Sequence, residues 1–177
     1  MEKKENYTVS IYTENNIGLL NRISAIFLKR HINIDTINSS PSELDQIYRF
    51  VIVVKVSEKD IKKIITQIEK QIEVIAAFFH TDQETIFQES ALYKVKSKSL
   101  FEERHIQNII KNSHAKIVTV SPEFFVIEKT GFREETEQLY KDLSKYGLLQ
   151  FVRSGRISVT KEPMRITEIL AQNQNHE

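Results

Sequence analysis

One order of elements is written twice along this chain, and that repeat constrains the fold more than any single motif. In the first half, residues 7–13 alternate, with Val9 and Ile11 on one face, and predict a strand. The polar stretch Glu14-Asn15-Asn16-Ile17-Gly18 interrupts it. Leu19, Leu20, Ile23, Ile26 and Phe27 then recur at helical spacing and form one apolar stripe. Residues 33–40 predict a second strand and Pro41-Ser42-Glu43 a turn. Tyr48, Phe50, Ile52, Val54 and Val56 alternate with Arg49, Val51, Val53 and Lys55. Both faces of this third strand are largely apolar, which predicts a central position. Ser57 is placed to cap a helix whose stripe is Ile61, Ile64, Ile65, Ile68 and Ile72. Residues 74–79 close the half as a fourth strand. The order strand-helix-strand-strand-helix-strand is the split ferredoxin-like unit.

The second half repeats that order less cleanly. Residues 85–96 predict a strand, and Ser99-Leu100-Phe101-Glu102 has capping-box spacing ahead of a thin stripe at Ile106, Ile109 and Ile110. Residues 115–120 and 124–129 predict two strands around Ser121-Pro122. Thr136, Leu139, Tyr140 and Leu143 mark a helix that Gly147 can end in a left-handed conformation. Residues 148–152 and 157–159 finish the sheet, with a break at Gly155.

The fold class is therefore α+β, two ferredoxin-like βαββαβ modules in tandem. The first is expected over residues 7–80 and the second over 84–161. A tail over 162–177 is expected to form a short helix from Met164 and then fray. The join, His80-Thr81-Asp82-Gln83-Glu84, is polar and short and predicts packed modules. A single larger antiparallel sheet is the alternative. An open four-stranded sheet leaves unpaired backbone at its edges, so a homodimer with a ligand site near the seam is the simplest assembly.

Composition narrows the function. A chain of 177 residues with 40% hydrophobic and 28% charged residues is a packed globular protein. A net charge of +1 gives no broad electrostatic reason to expect nucleic acid or an anionic membrane as partner. The absence of cysteine excludes disulfides and thiolate chemistry. The first residues carry charges of both signs and lead into no apolar run, and no stretch approaches the roughly 20 apolar residues of a membrane span. A cytoplasmic location is expected.

No catalytic constellation stands out. His31, His80, His105, His114 and His176 do not fall at metal-ligand spacing, so no metal site is expected. There is no nucleophile elbow, and four glycines in the whole chain build no phosphate loop. Glu134, Glu135 and Glu137 read as a solvated helix face.

The stretch from Glu14 to Ile23 is different. It joins a strand to an amphipathic helix with two side-chain amides and a glycine at the junction. Free N–H groups and the positive dipole end at a helix start suit a carboxylate. An asparagine donates to a carboxylate and accepts from an ammonium group at once. Gly18 admits a ligand close to the backbone. These are the parts that hold the two charged ends of a free amino acid. The plain alternative is a capped turn, with Asn15 or Asn16 as N-cap and Gly18 for the bend. Asn33 faces the same loop if its strand pairs beside the first strand or beside a dimer mate; otherwise it is a turn residue.

The segments Asn15-Asn16-Ile17-Gly18-Leu19-Leu20-Asn21-Arg22-Ile23 and Asn33-Ile34-Asp35-Thr36-Ile37 together resemble an ACT domain, and more narrowly that of acetolactate synthase small subunits. The second half is similar to that family's C-terminal domain in Ala115-Lys116-Ile117-Val118-Thr119-Val120-Ser121-Pro122-Glu123, in Val126-Ile127-Glu128-Lys129-Thr130-Gly131 and in the segment from Gly147 to Arg156, with Arg153-Ser154-Gly155 its most specific part. The resemblance covers residues 7–161 and implies an N-terminal ACT domain followed by an ACT-like one. It implies a dimer that binds valine at the ACT interface, through Asn15, Asn16, Ile17, Gly18, Leu19, Asn33 and Ile34. It implies a non-catalytic regulatory subunit that activates a separate catalytic subunit and confers feedback inhibition in branched-chain amino-acid biosynthesis. Thiamine diphosphate, magnesium and FAD are then expected on that partner and no cofactor on this chain. The chain departs from the family pattern at Asn38-Ser39-Ser40-Pro41 and at Tyr48-Arg49-Phe50. The other readings are an ACT-type regulator of another enzyme, an RNA-binding pair and a small enzyme of the same fold.

Overall fold

The computed structural model describes residues 3–102, 104–163, 165 and 167–169. The first module runs β1 (Glu5–Glu14), α1 (Leu19–Leu28), β2 (Ile34–Pro41), β3 (Ile47–Val56), α2 (Glu58–Ile68) and β4 (Val74–Thr81). Its strands form one antiparallel sheet in the order β2-β3-β1-β4. β3 is central, as its two apolar faces predict: Ile52 lies opposite Val9 on one side and Ile37 on the other. Tyr7, Val9 and Ile11 share a core with Ile23, Phe27, Ile61, Ile64 and Ile68. Both helices therefore cover one sheet face. α2 starts at Ser57, whose side chain accepts the Asp60 N–H. The isoleucine stripe stops at Ile68; Ile72, expected to continue it, lies beyond the helix and is exposed.

A turn joins β4 to β5 (Thr85–Lys96). In it the Glu84 carboxylate accepts both the N–H and the hydroxyl of Thr81, each at 2.7 Å. Those bonds hold the Glu84 carboxyl below its ordinary pKa. Next come α3 (Ser97–Glu102), α4 (Arg104–Asn112), β6 (Lys116–Val120), β7 (Phe124–Gly131), α5 (Arg133–Leu143), β8 (Leu148–Arg153) and β9 (Ile157–Thr160). The order β6-β7-β5-β8 repeats the first sheet strand for strand. Tyr93, Phe125 and Ile127 pack with Ile106, Leu139 and Leu143 in a second core. Tyr93 donates its buried hydroxyl to the Thr136 carbonyl at 2.7 Å.

The capping box read at Ser99 is not formed. The helix there begins earlier, at Ser97, and the Ser99 hydroxyl donates to the Tyr146 carbonyl. Gly147 is left-handed at φ 76°, as expected. The chain divides into two compact units, Phe87–Gly155 and the described remainder. The stretch from Arg156 onward, β9 included, groups with the first unit. Most of the expected tail helix, including Met164, lies outside the described residues. No helix among the described residues is long and apolar enough to cross a membrane.

Candidate functional site

The link from β1 to α1 is an exposed turn with its own bracing. Asn15, Asn16, Ile17 and Gly18 are all exposed, and Ile17 is fully so. Leu19, 1% exposed, is the anchor that packs the start of α1 into the core. The N-cap position falls on Gly18, at φ 85°, with no side-chain cap. Neither Asn15 nor Asn16 plays the capping role that a plain turn would give it. The Gly18 carbonyl accepts the Asn21 and Arg22 N–H groups.

Asn16 instead donates its amide to Glu73 at 3.4 Å, and the same oxygen is ion-paired to Arg22. The Glu73 carbonyl accepts the Glu14 N–H at 3.0 Å. One residue ahead of β4 thus holds the end of β1, the turn and the first turn of α1. The Arg22 guanidinium, and then the residue's own N–H, hold the Glu73 carboxyl below its ordinary pKa. The side of the turn toward the β2–β3 hairpin is acidic, where Glu14, Asn15, Asp45, Gln46 and Ile47 line an open depression of about 630 Å³. A positive helix start beside carboxylates offers complementary partners for the two ends of a zwitterion.

Asn33 and Ile34 lie elsewhere. Ile34 opens β2 opposite Val54, which is opposite Tyr7. The turn follows Glu14, so the Asn33 end of β2 is at the other end of the sheet, roughly 23 Å along the strand direction at about 3.3 Å per residue. β3 lies between β2 and β1, so within one chain Asn33 does not pair beside the first strand. No local pattern pointed to the Glu73 brace, because Glu73 stands outside both asparagine segments. Among the described residues no group of three or more His, Asp or Glu side chains is placed to hold a metal ion.

Residues 9–76 match the AHAS small subunit-like ACT domain, and residues 88–162 match the small subunit of acetolactate synthase. Over 160 residues the chain is 32% identical to an acetolactate synthase small subunit from Mycolicibacterium smegmatis, covering 90% of this chain and 94% of that one. The chain belongs to the acetolactate synthase small-subunit family. A small subunit from Bacillus subtilis is 34% identical over 148 residues, covering 83% of this chain and 86% of the relative. The crystal structure of the acetolactate synthase small subunit from Thermotoga maritima superposes with a TM-score of 0.79 at 27% identity, covering 90% of this chain and 99% of that one. The tandem ferredoxin-like arrangement, with an ACT domain first, is that of the family.

Proposed function

We propose that this chain is the non-catalytic regulatory subunit of an acetolactate synthase. It activates a separate catalytic subunit and makes that subunit sensitive to valine. The observation that carries the reading is the likeness to small subunits through both modules, in order and over nine-tenths of the chain. Thiamine diphosphate, magnesium and FAD belong to the catalytic subunit in this reading, and this chain supplies no cofactor site.

Valine binds where the β1–α1 turn meets a second copy. The turn contributes Asn15, Asn16, Ile17, Gly18 and Leu19, with the helix start facing the carboxylate and the acidic depression near the ammonium group. β2 is an edge strand, and an antiparallel pairing of two β2 edges reverses one sheet relative to the other. Asn33 and Ile34 of the partner subunit then lie at the Asn15–Gly18 end of this sheet. The separation of the two segments within one chain supports a shared site, because only a dimer brings them to one end. A site completed by two chains binds differently in different mutual orientations, and a ligand shifts an equilibrium only by such a difference. A coupling of about 1–3 kcal/mol to the catalytic subunit is typical for such devices.

The test is acetolactate formation by the organism's catalytic subunit, with and without this protein, each with and without millimolar valine. Stimulation that valine reverses supports both halves of the proposal. Stimulation indifferent to valine removes the sensor half. No effect of the protein points instead to an ACT-type regulator of another enzyme.

A further inference from the structure

On the helix-free face of the first sheet, β1 contributes buried side chains that carry polar groups. Thr8, Ser10 and Tyr12 point there from β1 and are 1%, 9% and 3% exposed. Buried polar groups are costly unless paired, so each one on this face needs a partner. At one end the need is met: Arg156, carried back by the chain ahead of β9, donates to Thr8 Oγ1 at 2.9 Å and is ion-paired to Asp82.

Arg49, opposite Tyr12 near the other end of the same face, is not served in that way. Its Nη2 donates to the Ser158 carbonyl at 2.8 Å and to Ser10 Oγ at 3.3 Å, and its guanidinium lies 5.7 Å from the Tyr12 ring centroid. Its Nε is buried without a hydrogen-bond partner among the described residues. Among the described residues no carboxylate pairs with it. This guanidinium borders a half-open cavity of about 300 Å³ lined by Ser10, Tyr12, Phe78 and His80 of the sheet and Ser158 and Val159 of β9. Glu43 and Glu162 also line it.

We infer that this cavity is a second small-molecule site, separate from the β1–α1 turn, and that it takes a free amino acid with a short apolar side chain. The volume is at the small end of ligand cavities and suits a molecule the size of an amino acid. The Arg49 guanidinium supplies a positive charge at the cavity wall, from which a carboxylate accepts a charge-assisted bond. The two wall carboxylates oppose a simple anion but suit a ligand with an ammonium group at its other end. Phe78 and Val159 receive the apolar part. Because Arg49 also ties β9 to the sheet through Ser158, occupancy changes how that strand is held.

Leucine titrated into the ¹⁵N-labelled full-length protein tests this, with isovalerate and isoamylamine as probes lacking one charged end each. The expected result is saturable shifts of the Arg49 Nε–H and of the Ser10 and Tyr12 amides, with each single-charge probe weaker than leucine. Arg49→Met removes the positive charge that the ligand carboxylate faces and should weaken binding about tenfold or more. Val159→Trp, at an exposed position, narrows the cavity without touching the Arg49 bonds and should weaken it too. Asn15→Ala should leave these shifts unchanged, so failure of the turn site and failure of this one read out separately. Shifts confined to the turn, indifference to both cavity variants, or isovalerate binding as well as leucine would overturn the inference.

Discussion

Arg22 on α1 and Glu73 ahead of β4 form an ion pair, and the same Glu73 oxygen receives the Asn16 amide at 3.4 Å. One carboxylate therefore fixes the turn's side chain and its helix together. Its folded pKa lies below the ordinary glutamate value, so the brace is in place above that value. It is lost as pH falls through the lowered folded pKa. The amide signals of residues 16–18 should titrate together in acid, with a midpoint below that of an ordinary glutamate. Glu73→Gln should abolish that titration; a midpoint at or above the ordinary value would mean the pair is absent in solution.

Gly18 separates stability from binding. Its φ of 85° is a left-handed conformation, and a Cβ there would meet nothing within 4 Å. Gly18→Ala should therefore destabilise by about 1–2 kcal/mol through the backbone alone. Gly18→Asp should cost less stability, because aspartate tolerates that conformation and a negative charge favours a helix start. Calorimetry should find the opposite order for valine, with Gly18→Asp binding far more weakly, since its carboxylate occupies the ligand carboxylate's field. Equal valine affinity in the two variants would remove the ligand from this turn.

Local patterning made much of the fold legible. The two-faced apolar run from Tyr48 to Val56 indicated a central strand, and Ile61, Ile64, Ile65 and Ile68 indicated one buried helix face. The misreadings occurred where a local signal was overridden by a distant partner. Ser99 looked like a cap, but its hydroxyl is claimed by Tyr146. Asn16 looked like a cap and is claimed by Glu73. The polar face of β1 carried no local hint that Arg156, far along the chain, would cover Thr8. The turn itself was readable because a strand end, two amides and a glycine are contiguous. The placement of Asn33 was not, since it depends on strand order.

The Arg153-Ser154 segment has a structural role that can be measured. Ser154 and Ser90 exchange bonds, with Ser154 N–H to the Ser90 carbonyl at 2.8 Å and Ser90 N–H to Ser154 Oγ at 2.9 Å. Arg153 Nε is 3.4 Å from Glu89, which is 6% exposed, and its Nη1 reaches Glu137 at 3.3 Å. Arg153→Met strands a buried carboxylate and should cost about 3 kcal/mol in urea unfolding. Adding Glu89→Met should recover most of that loss. A double variant no better than the single one would show that Arg153 acts instead through Glu137 and through Thr136, whose Oγ1 accepts from Arg153 Nη1 at 3.3 Å.

The decisive test of a shared valine site uses two defective chains. Asn15 stands after β1 and Asn33 before β2, at opposite ends of the sheet, so a site containing both draws one from each copy. Asn15→Ala and Asn33→Ala should each weaken valine binding by about 1–3 kcal/mol as pure dimers. In a hybrid of the two variants, one site combines both substitutions, while the other pairs an intact turn with an intact Asn33. Mixing the variants under conditions of subunit exchange should therefore restore one native-affinity site per hybrid dimer. It should also restore part of the valine inhibition of the catalytic subunit. If both asparagines served one site within a chain, the hybrid would hold two damaged sites and mixing would restore nothing. Size-exclusion chromatography coupled to light scattering must show a dimer throughout, because a monomer under assay conditions would by itself rule out the shared site.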